Sequence, residues 1–209
     1  IMKNARRCCP SKYRPKKVRE NARAKNLHLI KHTIWKTHPA ISLLAMNKQT
    51  SQAYIALGSN LENPISQVRQ AFDELKQLSG IDLVRQSSLY KSAPVGRLDQ
   101  PDFINAVALI ETRLTPHDLL NALLSIEQQH GRLRESLNAP RTLDLDILMY
   151  DDLQCHDEKL TLPHPRMSQR AFVLKPLFEI APDCHIPGLG HIAPLLAACH
   201  EQQLEQIST

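Results

Sequence analysis

Pro140-Arg141-Thr142-Leu143-Asp144-Leu145-Asp146-Ile147 alternates apolar and polar residues. The alternation predicts a strand, because successive side chains on a strand point to opposite faces. Leu143, Leu145 and Ile147 then share one face, and Thr142, Asp144 and Asp146 share the other. Two carboxylates two residues apart on one face repel unless a cation lies between them. Mg²⁺ suits that position, since it takes oxygen ligands from one or two carboxylates and completes its shell with water and substrate phosphates. Arg141 at the head of the segment adds a phosphate-binding cation. Taken alone, Asp-x-Asp is equally compatible with a strand whose outer face is merely solvated, so the segments on either side decide.

Upstream, Ala53 to Leu57 reads as a short strand ending at the turn Gly58-Ser59-Asn60. Asn63-Pro64 predicts a helix start, with Asn63 as the capping side chain and Pro64 in the first helical position. Ile65, Val68, Phe72, Leu75 and Leu78 follow at helical spacing, and Ser79-Gly80 ends the helix. Leu83 to Lys91 predicts a second strand, Ser92 to Asp102 a loop, and Phe103 to Thr112 a third strand. On that strand Phe103, Asn105, Val107 and Leu109 share a face. Thr115 caps a second helix striped by Leu119, Leu120, Leu123 and Ile126, and Gly131 closes it. Arg132 to Pro140 is a second polar loop.

With the Asp-x-Asp strand as the fourth, the order is β-α-β-β-α-β. This predicts an α+β, ferredoxin-like core with two helices on one sheet face and a ligand site on the other. Downstream, Leu153 to Leu160 suggests an added hairpin. Ala171 to Ile180 is apolar enough to pack on the core. Pro163, Pro165, Pro176, Pro182, Pro187 and Pro194 predict that most of this C-terminal extension is irregular.

The charge is unevenly spread. Residues 1–50 hold 13 Lys and Arg and one acid, Glu20, a net +12. The rest hold 13 Lys and Arg against 20 acids, a net −7. The basic stretch lacks an apolar period and reads as a mostly disordered extension, with residues 51–209 as the catalytic domain. A nucleic-acid arm and a transit peptide are alternative readings of the extension, and Met46 is a candidate start. The acidic body argues against a nucleic-acid surface there. No apolar run reaches the ~18 residues of a membrane span. Five cysteines without metal or disulfide spacing suit reduced thiols and a cytoplasmic setting.

Glu127, Arg132, Arg134, Arg141, Lys159, His164 and Arg170 surround the two aspartates in sequence. Two carboxylates for Mg²⁺ with several Arg for phosphate oxygens is the equipment of phosphoryl transfer. No Gly-x-x-x-x-Gly-Lys-Ser/Thr loop is present, which excludes a P-loop enzyme. An RNA-binding module and another Mg²⁺-dependent transferase remain as rival readings of the residues alone.

Five ordered segments carry a resemblance: Tyr54 to Leu61, Asp99 to Ala106, Gly131-Arg132, Pro140 to Asp146, and Leu162 to Met167. Over residues 52–200 the chain resembles the 6-hydroxymethyl-7,8-dihydropterin pyrophosphokinases of folate biosynthesis. The resemblance implies transfer of the β,γ-pyrophosphoryl group of ATP to the pterin hydroxymethyl oxygen, with release of AMP. It implies that Asp144 and Asp146 hold two Mg²⁺ ions and that Arg132 and Arg141 are catalytic. Glu127, Arg134, Lys159, Thr161, His164 and Arg170 then match ATP-contacting positions. Phe103 and Phe172 match rings that sandwich the pterin, Asn105 matches its polar reader, and Ser92, Pro94 and Val95 line the pocket. The family also implies a monomer, with both polar loops folding over bound substrates. Leu124, Glu135 and Asn138 depart from the family pattern, and the second loop is one residue short.

Overall fold

The computed structural model describes residues 50–95, 99–131 and 140–208. The basic stretch, most of the loop after the second helix (with Arg132, Arg134, Glu135 and Asn138) and the middle of the loop after Ser92 lie outside those residues.

In chain order the elements are β1 (Ser51–Ser59), α1 (Pro64–Gln77), β2 (Ile81–Gln86), β3 (Leu89–Ser92), β4 (Phe103–Thr112), α2 (Pro116–Gln129), β5 (Asp144–Tyr150), β6 (Cys155–His156), β7 (Thr161–Leu162), α3 (Ala171–Ile180), β8 (His185–Ile186), β9 (Gly190–His191), α4 (Ile192–Ala198) and β10 (Leu204–Ile207). One antiparallel sheet runs β10-β3-β4-β1-β5, with β2 also paired to β4. Among the described residues the fold is thus a mixed α/β one with this main sheet and four helices, and no helix is long and apolar enough to cross a membrane.

The alternation on the strands sorts side chains as expected. Ala53, Ile55 and Leu57 of β1, Ile104 to Ile110 at even positions of β4, and Leu145 and Ile147 of β5 are buried under α1 and α2. The helices supply Val68, Phe72 and Leu75, and Leu119, Leu123 and Ile126. The start of α2 is capped by the Thr115 hydroxyl, which accepts from the Asp118 N–H at 3.2 Å. Asn63 departs from its predicted role. It takes a left-handed backbone (φ 63°) and makes no side-chain cap, and its carbonyl accepts from the Gln67 N–H at 3.1 Å.

The predicted second strand is two strands. Ser87 interrupts it, with its N–H donating to the Val107 carbonyl and its hydroxyl accepting from the Val107 N–H, each at 2.9 Å. The side chain replaces a rung of the ladder, and the pairing shifts beyond it.

The second sheet face is less open than expected. α3 packs Val173, Leu174, Leu177 and Ile180 against Val107 and Leu109. Proline does not keep this region irregular, since Pro176 lies inside α3 and Pro194 in the first turn of α4. An interior proline costs a helix about 3 kcal/mol. Burying four large aliphatic side chains contributes about 1.5–3 kcal/mol each, which exceeds that cost. β5 also carries a bulge: Tyr54 pairs with Met149 and Ile55 with Ile147, so Leu148 has no partner on β1.

Candidate active site

α3 leaves one end of the second face uncovered, and the polar residues collect there. Asp144 of β5, Gly58 of β1 and Asn105 of β4 stand in register across three strands. Asp146, Ala56 and Val107 form the adjacent row. Glycine at the centre of the first row leaves a floor between a carboxylate and an amide: a Cβ on Gly58 would lie 3.5 Å from Asn105 Oδ1. Asn105 is buried, and its Nδ2 donates to Ser92 Oγ at 2.9 Å. Its Oδ1 has no hydrogen-bond partner among the described residues. Phe103, two residues before it, is partly exposed on the same face; in the loop after Ser92, Pro94 is partly exposed and Val95 well exposed.

Arg141 is held at both ends. Its Nη1 meets Asp144 Oδ2 at 2.6 Å. Its backbone N–H donates to Asn60 Oδ1 at 2.8 Å, and the Asn60 N–H returns a bond to the Arg141 carbonyl at 3.1 Å. Asn60 Nδ2 also donates to Gln100 Oε1 and the Pro101 carbonyl, at 3.0 and 3.2 Å. One buried amide therefore ties the end of β1, the head of the aspartate strand and the loop before β4 together. Sequence reading took Asn60 only as a turn residue. Replacing it with alanine leaves the Arg141 N–H without its side-chain acceptor, at a cost of about 1–3 kcal/mol. Asn60→Ala is expected to lower the urea midpoint and kcat together, and equal values for both would reject the linking role.

Thr142 is buried and its hydroxyl has no hydrogen-bond partner among the described residues; the strand begins only at Asp144. Glu127 is not a helix-surface charge. It is 2% exposed and its Oε1 accepts from the Leu145 N–H at 2.7 Å, which pins β5 between the two aspartates.

The bulge residue anchors His164, whose N–H donates to the Leu148 carbonyl at 2.9 Å. His164 Nδ1 accepts from the Arg166 N–H at 3.2 Å, so the proton of the neutral ring is on Nε2, 3.9 Å from Asp146 Oδ2. Burial, then the nearby Arg170 and Arg166, push the His164 pKa down from 6.5 to about 4. Arg170 lies over the Phe172 ring, 5.4 Å from its centroid, and burial lowers its pKa from the ordinary value. Phe172 and Phe103 make no ring contact with each other. Lys159 and Thr161 sit on the β6–β7 hairpin, where Lys159 is exposed and Thr161 Oγ1 meets His156 Nδ1 at 2.8 Å; no hydrogen bond joins them to the aspartates.

The His164 shift has a sign. Between pH 4 and 6.5 the unfolded chain binds the extra proton and the folded one does not. This stabilising contribution is complete above about pH 6.5 and is lost as the pH falls toward 4. The substrate-free protein is expected to lose more Tm between about pH 7 and 5 than His164→Asn does. Equal losses would reject the shift.

The arrangement places two hard oxygen donors beside a cluster of cations, on a floor that ends in an amide and an aromatic ring. That donor set fits Mg²⁺. No cluster of three His, Cys, Asp or Glu that could hold a metal by itself occurs among the described residues, and Mg²⁺ completes such a shell with substrate phosphates and water.

The family model for 7,8-dihydro-6-hydroxymethylpterin-pyrophosphokinase matches residues 54–182. The chain belongs to this family. A 2-amino-4-hydroxy-6-hydroxymethyldihydropteridine pyrophosphokinase of Pseudomonas aeruginosa is 46% identical over 156 residues, which are 75% of this chain and 96% of that protein. One of Haemophilus influenzae is 51% identical over 144 residues, 69% of this chain and 90% of that protein. The solved HPPK-DHPS of Plasmodium falciparum has the same fold, with a TM-score of 0.57 at 14% identity; the match covers 72% of this chain and 45% of that one. In this pyrophosphokinase the matched span holds both aspartates, Arg141, His164, Arg170, Asn105 and both phenylalanines. Arg166, which helps depress His164, was missed by sequence reading because nothing local distinguishes it from a surface cation.

Proposed function

We propose that the chain transfers the β,γ-pyrophosphoryl group of ATP to 6-hydroxymethyl-7,8-dihydropterin, a step of folate biosynthesis. The bond from the α-phosphorus through oxygen to the β-phosphorus breaks on the α,β-bridging oxygen's far side, at Pβ. A new bond forms from Pβ to the hydroxymethyl oxygen, the hydroxyl proton is released, and AMP leaves with the bridging oxygen. The observation that carries this reading is the row Asp144–Gly58–Asn105, which sets a metal-binding carboxylate beside an amide on one strand floor of a pyrophosphokinase-family chain.

Two Mg²⁺ ions held by Asp144 and Asp146 would neutralise phosphate charge and lower the pKa of the attacking hydroxyl. Arg141, fixed by Asn60 and Asp144, is placed to stabilise charge that grows on the phosphoryl oxygens. His164 stays neutral near pH 7 and presents its Nε2–H as a donor without adding to the local positive charge. Arg170, together with Lys159, Thr161, Glu127 and Arg134, completes the proposed nucleotide side. Asn105 Oδ1 is an acceptor for a ring N–H, and Ser92 orients that amide by taking its Nδ2–H. Phe103 and Phe172 do not touch, which suits a flat ring lying between them; Pro94 and Val95 complete this pocket. Arg132 is assigned a catalytic role with Arg141.

The core is assigned as ferredoxin-like, in which β2 and β3 together stand for one strand. The protein is taken to act as a cytoplasmic monomer, with residues 51–209 as the catalytic domain and the basic stretch as an extension. The test is direct. The full chain is incubated with MgCl₂, ATP and 6-hydroxymethyl-7,8-dihydropterin, and the nucleotides are separated by anion exchange. One AMP per pterin diphosphate supports the reaction; ADP in place of AMP, or no product, overturns it.

A further inference from the structure

Two histidines between α3 and α4 face each other and take no part in the chemistry above. β8 and β9 pair antiparallel, with His185 opposite His191. One step along, the Ile192 N–H donates to the Cys184 carbonyl at 3.0 Å, so Cys184 and Ile192 form the hydrogen-bonded pair. His185 and His191 therefore occupy a non-hydrogen-bonded position, where facing Cα atoms approach to about 4.5 Å and side chains are closest. The rings meet edge to face, with centroids 5.3 Å apart and planes at 86°. Both residues are exposed, and neither ring has a hydrogen-bond partner among the described residues. The backbone beneath them is well fixed. The Leu189 N–H donates to the Ile186 carbonyl at 3.0 Å to close the turn, Gly188 takes a φ of 72°, and Ile186 and Ile192 are fully buried.

We infer that His185 and His191 form a two-imidazole chelating site for a divalent transition ion of the Zn²⁺, Ni²⁺ or Cu²⁺ class. Such ions bind imidazole nitrogen at about 2.0–2.1 Å. The cross-strand pair supplies two of these donors from a fixed backbone, and only the ring torsions need to turn. The described residues supply no third His, Cys, Asp or Glu, so water completes the shell. Donor type separates this site from the catalytic one. Imidazole selects the borderline transition ions, while Mg²⁺ prefers oxygen. α3 is about 15 Å long and carries Phe172 near its other end, so an ion here ties α3 to α4 and does not reach the reacting groups.

The test titrates the full chain with NiCl₂ by equilibrium dialysis. Other histidines and the active-site carboxylates also take ions, so stoichiometry is compared between proteins. His185→Asn and His191→Asn are each expected to bind one ion fewer per chain than wild type, with turnover in MgCl₂ unchanged. In a second measurement, substoichiometric Cu²⁺ broadens the ring NMR signals of His185 and His191 before those of the other histidines. Equal stoichiometry in wild type and the double variant overturns the site, as do two rings that keep their signals.

Discussion

Asp146→Ala loses turnover, and Asp144→Ala loses it with an added defect. The two carboxylates share one face of β5, and the described residues bring no further carboxylate or thiolate to them. Removing either halves the protein's oxygen donors for Mg²⁺. A single preorganised charge contact is worth of order 10²–10³ in rate, and losing a metal ligand removes both the ion's charge and the positions of the groups it orders, so a fall beyond about 10³ is expected. The two carboxylates differ in the cations they meet. Asp144 also receives Arg141 Nη1 at 2.6 Å, whereas Asp146 has His164 Nε2 at 3.9 Å. Asp144→Ala therefore also removes this contact of the Arg141 side chain, and added MgCl₂ should restore less activity to it than to Asp146→Ala. The measurement is single-turnover AMP formation against MgCl₂ concentration. Near-wild-type rates at saturating MgCl₂ would refute the metal assignment.

Arg141→Ala is expected to lower kcat by about 10²–10³ while the KM for ATP moves much less. Asn60 holds the Arg141 backbone and Asp144 receives its guanidinium, so part of its ordering precedes substrate. Such a contact acts most strongly where charge develops in the transition state. Arg141→Lys keeps the charge but loses the planar fork, so it should recover only part of the rate. An unchanged kcat with a raised KM would make Arg141 a binding group and reject the catalytic role.

Much of this arrangement could be read before any coordinates. Alternation placed Leu145 and Ile147 in the core and the aspartates opposite, because burial of one strand face leaves little choice of register. Phe103 and Asn105 were placed together by the same parity. What escaped was tertiary. The Asn60 bond to the Arg141 N–H spans 81 residues and has no local signature. Glu127 looks like any helix glutamate until β5 arrives to give it an N–H. α3 was hidden by Pro176, since local propensity argues against a helix and only the sheet face beneath it argues for one. The split at Ser87 and the bulge at Leu148 were hidden too. In Ile147-Leu148-Met149 every residue is apolar, so no alternation marks where the phase changes.

That phase change gives the extra residue of β5 a use of its own. Before Leu148, even-numbered positions share the face of the two aspartates; after it, Met149 takes that face and is buried with α3. A chain without Leu148 would keep both alignments, because Leu148 is the extra residue that has no partner on β1. The same lost residue would take with it the carbonyl that holds His164. Substitutions at Leu148 thus leave the anchor of His164 in place, while a deletion there removes that anchor and spares the pairing of β5.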